Sequence, residues 1–297
     1  MAKPGGLTSN YKQLYDERIF ILENILGYYV FPTAREIFIY ENKRFLSFWL
    51  RANKIPHPVT NVFYDKDEAK EFLDSVKYPI VGKVNIGASG SGVEILRSRI
   101  AATKYLQNTF SDKGAKQRIG PDLNKAGIIK RGFHYVVNPT DIKRKLAKYK
   151  KLASNVQRDF VIFQEFVEHS FEWRVVRIGD SFFAHKKLVL GDKASGSLLK
   201  EYDNPPLELL DFVKGITDEH HLFSQAVDIF ESGNKFLVNE MQCIFGQSDN
   251  YQMLVDGKQG RYRFINAKWI FEEGDFCKNA CYNLRIETVL NKLRSAL

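Results

Sequence analysis

Asp228, Glu240 and Gln242 lie in "VDIFESGNKFLVNEMQC", which reads as a strand, a glycine-containing turn and a second strand. Glu240 and Gln242 are two apart and share one face of their strand. Asp228 joins that face if the turn holds an odd number of unpaired residues. A three-residue loop at Ser232, Gly233 and Asn234 pairs Asp228 with Val238 and collects all three side chains, whereas an even loop breaks the set. Two carboxylates and an amide oxygen form a hard oxygen site suited to Mg²⁺ with nucleotide phosphates. Acids on so apolar a strand are costly unless something cationic satisfies them. The plainer alternative is a surface hairpin with exposed acids.

A second stretch, "YPIVGKVNIGASGSGVEIL", sets Gly87, Ser89, Gly90, Ser91 and Gly92 after an apolar run carrying one lysine, Lys83. A Walker loop places its lysine after the glycines, beside Ser or Thr at the start of a helix; here the lysine comes first. A dinucleotide fingerprint leads G-x-G-x-x-G into a helix; here G-x-x-G-x-G leads into "VEIL", a strand-like run. What remains is strand, glycine turn, strand: a flap whose backbone N–H groups can close over phosphates, or else a flexible hairpin tip with no ligand. Glu172 and Arg174, two apart in "FEWRVVRIGD", precede Lys186 and Lys187 on the next predicted strand. Basic residues facing a magnesium-bearing hairpin can hold a transferring phosphoryl group, although such residues also occur as ordinary sheet-face charges. No clear Ser-His-Asp or Cys-His arrangement supplies an enzyme nucleophile.

The elements that must position these residues are legible along the chain. Residues 11–28 read as helix, and 33–55 as a helix or pair of helices, with Thr33 and Glu36 forming a capping box. A short strand near 59–63 precedes an amphipathic helix opened by Asp65 or Asp67. Residues 79–84 and 93–96 read as strands and 100–110 as helix. Strands follow in "DFVIFQEFV", "FEWRVVRIGD" and "SFFAHKKLVL", then a helix over 207–221, the acidic hairpin and a C-terminal helix. Strands and helices in this order make an α+β chain. With 297 residues there is material for two lobes. No run approaches the roughly 20 apolar residues of a spanning helix, and the N-terminus lacks a signal-peptide centre, so the expected location is cytoplasmic. Cys243, Cys277 and Cys281 are too few and unevenly placed for a disulfide framework, and are expected buried and reduced. A net charge of +9 suits nucleic acid, anionic lipid, or a phosphorylated or acidic substrate. Much of it sits between Lys125 and Arg158, where Ile142, Leu146, Tyr149 and Leu152 predict a helix with one buried stripe and a solvated basic face. No nucleic-acid module accompanies it, so nucleic acid is not the expected partner.

The order of motifs resembles the ATP-grasp superfamily across roughly Lys43 to Leu254. It rests on "ENKRFLSFWLRANKIPHPVT", "PIVGKVNIGASGSGV", "VIFQEFVE", "FEWRVVRIGDSFFAHKK" and "VDIFESGNKFLVNEMQCIFG", in that order. The resemblance implies two lobes, each with a mainly antiparallel sheet and flanking helices, and ATP between them. It divides the chain into a short helical segment 1–42, a first lobe 43–163 with a basic insertion at about 115–155, and a second lobe 164–297. It implies that Lys43, Lys83 and the loop from Gly87 to Gly92 contact nucleotide phosphates. Gln164, Glu165, Phe166 and Val167 become the linker that reads the adenine edge. Glu172 falls at the position for ribose hydroxyls, Lys187 faces the γ-phosphate, and Asp228 and Glu240 are magnesium carboxylates. Gln242 stands where the family often has asparagine.

The reaction implied is that of an ATP-dependent ligase. A carboxylate attacks the γ-phosphate of MgATP, and the acylphosphate is captured by an amine or thiol, releasing ADP and phosphate. Arg174, Ser195, Ser197 and Gln247 are the candidates to hold the acid or the amine, small molecules that can be sugar- or peptide-linked. An ATP-grasp kinase acting on a small-molecule or sugar hydroxyl would share the same nucleotide residues. A nucleotide- or nucleic-acid-binding protein without turnover is the third reading, and it leaves Asp228 and Glu240 without a purpose.

Overall fold

The computed structural model describes residues 8–87, 90, 92–116, 146–147, 149–150, 152–190, 193–194, 199–247 and 249–295. Contacts divide the chain into two compact units, one of Val59–Phe166 with Gly5–Gln13, the other of Leu14–Pro58 with Val167–Leu297. Leu46, Leu50 and Ile55 belong to the core of the later strands.

The smaller unit holds β1 (Thr60–Phe63), α1 (Lys66–Ser75), β2 (Ile80–Lys83), β3 (Val93–Leu96), α2 (Arg99–Thr109) and β4 (Val161–Glu165). Its four strands run in the order β1-β4-β2-β3. Asp65 starts α1 by accepting from the Asp67 and Glu68 N–H groups, and Ser98 caps α2 through the Ala101 N–H. Ala69 and Leu73 of α1 and Ala102, Tyr105 and Leu106 of α2 bury against Ile80, Val161 and Phe163. Gly82 allows the closest approach, since a Cβ there would lie 2.9 Å from the Tyr105 ring. Alternation then turns Val81 and Lys83 to the sheet's other face, together with their partners Gln164 and Ile162.

The larger unit begins with α3 (Ser9–Phe20, whose first residues fall in the smaller unit), a π-type turn at Ile21–Ile25, α4 (Ala34–Ile39) and α5 (Lys43–Ala52). Its nine strands are β5 (Phe171–Ile178), β6 (Ser181–Leu190), β7 (Lys193–Ala194), β8 (Lys200–Glu201), β9 (Ser224–Ser232), β10 (Lys235–Gln242), β11 (Leu254–Val255), β12 (Lys258–Ile265) and β13 (Lys268–Glu273). Helices α6 (Leu207–Glu219) and α7 (Tyr282–Arg294) complete it. The main path is β10-β9-β5-β6-β12-β11, with β13 on β12 and β7 and β8 on β6. Every strand pair among the described residues is antiparallel.

One face of this sheet, with Trp173, Val175, Ala184, Val227 and Ile229, buries against Leu46 and Leu50 of α5 and Leu209, Leu210 and Val213 of α6. The other face packs Val176, Ile178, Phe183 and Ala226 against Cys277, Cys281 and Leu284. The Thr33–Glu36 capping box is present. All three cysteines are free and buried, as expected; Cys281 stands at the N-cap of α7 with φ 62°. Lys125 to Lys145 lie outside the described residues, Ile142 among them. Leu146 is 60% exposed, so it does not belong to a buried stripe.

Candidate active site

The acidic hairpin reaches the expected arrangement by a different route. Its turn is two residues, Gly233 and Asn234, between the paired Ser232 and Lys235. A two-residue turn alone would put Asp228 and Glu240 on opposite faces. A β-bulge between Val238 and Glu240 adds the odd residue, and Asp228 then pairs directly with Glu240. The three-residue loop and the Asp228–Val238 pair are therefore corrected. Packing explains the bulge: Val238 and Met241 both enter the core against α5 and α6, and three residues apart they can share a face only if the ladder slips by one. The consecutive polar residues Asn239 and Glu240 between them are the signal that could have found it.

The register carries the same row across the sheet. Asp228 pairs with Arg174, Arg174 with His185, and Glu172 with Lys187. Arg174 grips Asp228 with two N–H groups, Nε to Oδ1 at 2.7 Å and Nη2 to Oδ2 at 2.9 Å. Lys187 Nζ lies 2.7 Å from Asp228 Oδ2 and 2.7 Å from Glu172 Oε2. Asn239, the bulge residue, donates to Glu172 Oε1 at 3.0 Å. Asp228 and Lys187 side chains are 1% and 7% exposed, so these ions satisfy one another rather than water. Burial pushes the Asp228 carboxyl up, but Arg174 and Lys187 overturn that and hold it well below the usual range. Burial likewise works against the Lys187 cation, and Asp228 and Glu172 outweigh it, so Lys187 stays protonated. His185 is driven the other way: burial, then the charges of Lys200 and Arg174, push it down to about 3, and its neutral ring bonds the Gln252 carbonyl through Nδ1. His185 and Asn239 escaped sequence reasoning; His185 sits two residues before Lys187, on the same strand face, which was a usable sign.

The remaining predicted residues divide. Lys186 points to the opposite face, bonds Asp203 and lies over the Phe171 and Trp173 rings. Gln242 follows Glu240 on the same face, opposite Ala226. Gln247 spends its amide internally, donating to the Asp249 and Cys277 carbonyls and accepting from Gln252 and the Cys281 thiol, so it ties a loop together instead of presenting to a substrate. Lys43 opens α5 in the larger unit. In the smaller unit Lys83 ends β2, 8% exposed, and the glycine segment closes the expected hairpin through Val84 N–H to Gly92 O and Val93 N–H to Gly90 O. Gly87 and Gly90 have φ of 152° and 66°, and a Cβ at Gly92 would meet Val84 Cβ at 2.9 Å. Ser89, Ser91, Ser195 and Ser197 lie outside the described residues. Gln164 donates to Thr60 Oγ1, and the Glu165 N–H bonds the Val59 carbonyl. Phe166 ends one unit and Val167 begins the other.

Tested against a magnesium ion, the oxygen set splits. Glu240 and Gln242 share a half-buried face. Asp228 does not fit as arranged, because three charged N–H contacts occupy its two oxygens and shield them from water. The site offers two charged cations, Lys187 buried and Arg174 partly buried, held at fixed positions by carboxylates, an arrangement able to neutralise negative charge developing on a bound group.

No family model matches the chain, and no curated protein matches it. Among solved structures, it is similar to a RimK domain ATP-grasp protein from Sphaerobacter thermophilus, at 17% identity and TM-score 0.47, covering 80% of this chain and 69% of that one. It is similar to D-alanine–D-alanine ligase from Bacillus anthracis, at 15% identity and TM-score 0.48, covering 89% and 72%. N5-carboxyaminoimidazole ribonucleotide synthetase from Thermotoga maritima matches at 15% identity and TM-score 0.45, covering 76% of this chain and 47% of that chain. The chain thus spans about half the length of that last protein.

Proposed function

We propose that the protein is an ATP-dependent ligase of the ATP-grasp kind, joining a carboxylate to an amine or thiol through an acylphosphate. The observation that carries this reading is Lys187 fixed 2.7 Å from both Glu172 and Asp228, with Arg174 clamped on Asp228. Phosphoryl transfer needs little covalent help; it needs positive charge held where the transferring group will be. Lys187 and Arg174 supply two such charges on one sheet face, and their carboxylate partners restrict both side chains before any ligand arrives. By the resemblance, Lys83 and the backbone N–H groups around the glycine hairpin are phosphate contacts as well.

In the first step an oxygen of the acid attacks the γ-phosphorus and the bond to the β-phosphate oxygen breaks, releasing ADP. In the second the amine nitrogen attacks the acyl carbon, phosphate leaves, and the amine gives up a proton. A divalent ion, which Glu240 and Gln242 could help hold, would supply further charge neutralisation; the roles of Lys187, Arg174 and Lys83 stand without it.

Purified protein with ATP, Mg²⁺ and panels of acids and amines should release phosphate only when a suitable acid and nucleophile are both present. Lys187→Met should lower kcat by about 10²–10³. Phosphate transferred to a hydroxyl with no net release would replace the ligase by a kinase.

A further inference from the structure

From Leu14 onward α3 belongs to the larger unit and packs one side on it. Asp16 is buried there, and Ile19 meets Val30, Ala34, Ile37 and Cys243. The side turned away from these residues is apolar and lies in water. Leu14, Ile21 and Ile25 are exposed on it, Ile25 by 67%, and with Arg18 they follow the 4-3-4 spacing of a helix-pairing seam. Leu22, Leu26, Tyr28 and Tyr29 carry the exposed apolar surface through the π-type turn and past it.

These seven large side chains, each roughly half exposed, present on the order of 700 Å². Monomeric proteins rarely leave apolar patches above roughly 300–600 Å² in water, and each partner of a specific interface contributes about 600–1,000 Å². The surface is therefore the size of one partner's share.

The charges on it select the partner. A lipid surface favours a helix bordered by lysine and arginine, whereas residues 14–29 set a single arginine, Arg18, against Asp16, Glu17 and Glu23. Glu17 and Arg18 are adjacent and exposed in the middle of the seam. One acid beside one base is self-complementary. A two-fold axis passing between positions 17 and 18 sets Glu17 against the Arg18 of a second copy, and Arg18 against its Glu17. The same axis sets Leu14 against Ile21, because the two are equally distant from it.

We propose that residues 14–29 form a homodimer interface, in which α3 packs antiparallel against α3 of a second copy of this chain about a two-fold axis between Glu17 and Arg18.

Sedimentation equilibrium of the full chain tests it. Wild type should be dimeric at micromolar concentration. Ile21→Glu alters an exposed residue, so it should keep the wild-type circular dichroism spectrum while weakening association at least about a hundredfold. Glu17→Arg brings like charges together and should weaken it at least about tenfold, and adding Arg18→Glu, which exchanges the two charges, should restore it. A wild type that stays monomeric at high micromolar concentration overturns the proposal. So does a dimer indifferent to Ile21→Glu, which would place the interface elsewhere, as on the exposed Ile286, Leu290 and Leu293 of α7. A charge exchange that fails to restore association overturns the antiparallel pairing. Monomeric wild type that floats with phosphatidylcholine vesicles, and no longer does so as Ile21→Glu, assigns the surface to lipid and overturns the dimer.

Discussion

Along one face of β5, β6 and β9, two neighbouring regions obey opposite rules. Glu172, Arg174, His185, Lys187 and Asp228 occupy the first; Val176, Phe183 and Ala226 occupy the next positions of the same strands and pack on Cys277, Cys281 and Leu284. Backbone and register are shared, so only side-chain chemistry separates them. The contrast extends to two fully buried carboxylates. Asp228 is depressed because Arg174 and Lys187 outweigh its burial. Glu36, beyond the apolar region, accepts from the Ser224 N–H at 2.6 Å and from Thr33, yet burial dominates and raises it to about 7. A buried acid is therefore an ionic anchor in one region and a nearly neutral hydrogen-bonding post in the other.

The largest effect should come from breaking the ionic region. Asp228→Ala strands two buried cations and should cost about 3–5 kcal/mol in denaturant unfolding, together with turnover. Leu284→Ala, in the apolar region, should cost about 2–5 kcal/mol by cavity formation while folded protein keeps its ATP affinity. Loss of both stability and nucleotide binding in Leu284→Ala would mean that the regions are not separable.

The pH dependence sharpens the same comparison. Glu36 has a folded value near 7 against 4.5 as its reference, so its contribution is complete below 4.5 and falls away as pH rises to 7, by about 3 kcal/mol in all. Asp228, depressed from 3.8, contributes above that value and loses its contribution as pH falls below it. Unfolding midpoints between pH 4 and 8 should show the first slope in wild type, and Glu36→Gln should flatten it. The smallest change, Thr33→Ala, removes the α4 cap and one hydrogen bond that favours ionised Glu36. It should cost about 1 kcal/mol and shift the Glu36 transition further upward.

Much of this was legible before any coordinates. The capping box at Thr33, the Asp65 cap, the strand-turn-strand around Lys83, and the Glu172–Arg174 alternation followed from local patterns that fold as they read. The hairpin β12–β13 is written in the sequence too, where "GRYRFINAKWIF" alternates around a short polar turn. Gln247 looked available for a substrate because a sequence does not show which carbonyls need a donor; the loop around it spends the whole amide.

The chain's own order of residues determined the α+β class, which side chains carry charge, and which of them alternate onto common strand faces, because those depend on local propensity and a period of two. Only the tertiary structure decided that Asp228 meets Glu240. Turn and strand pattern allow either parity, and the bulge at Asn239 was set by the requirement that Val238 and Met241 both reach the core against α5 and α6. Whether a buried acid ends as anchor or as neutral post was settled there too, by which cations the packing brought within 3 Å of it.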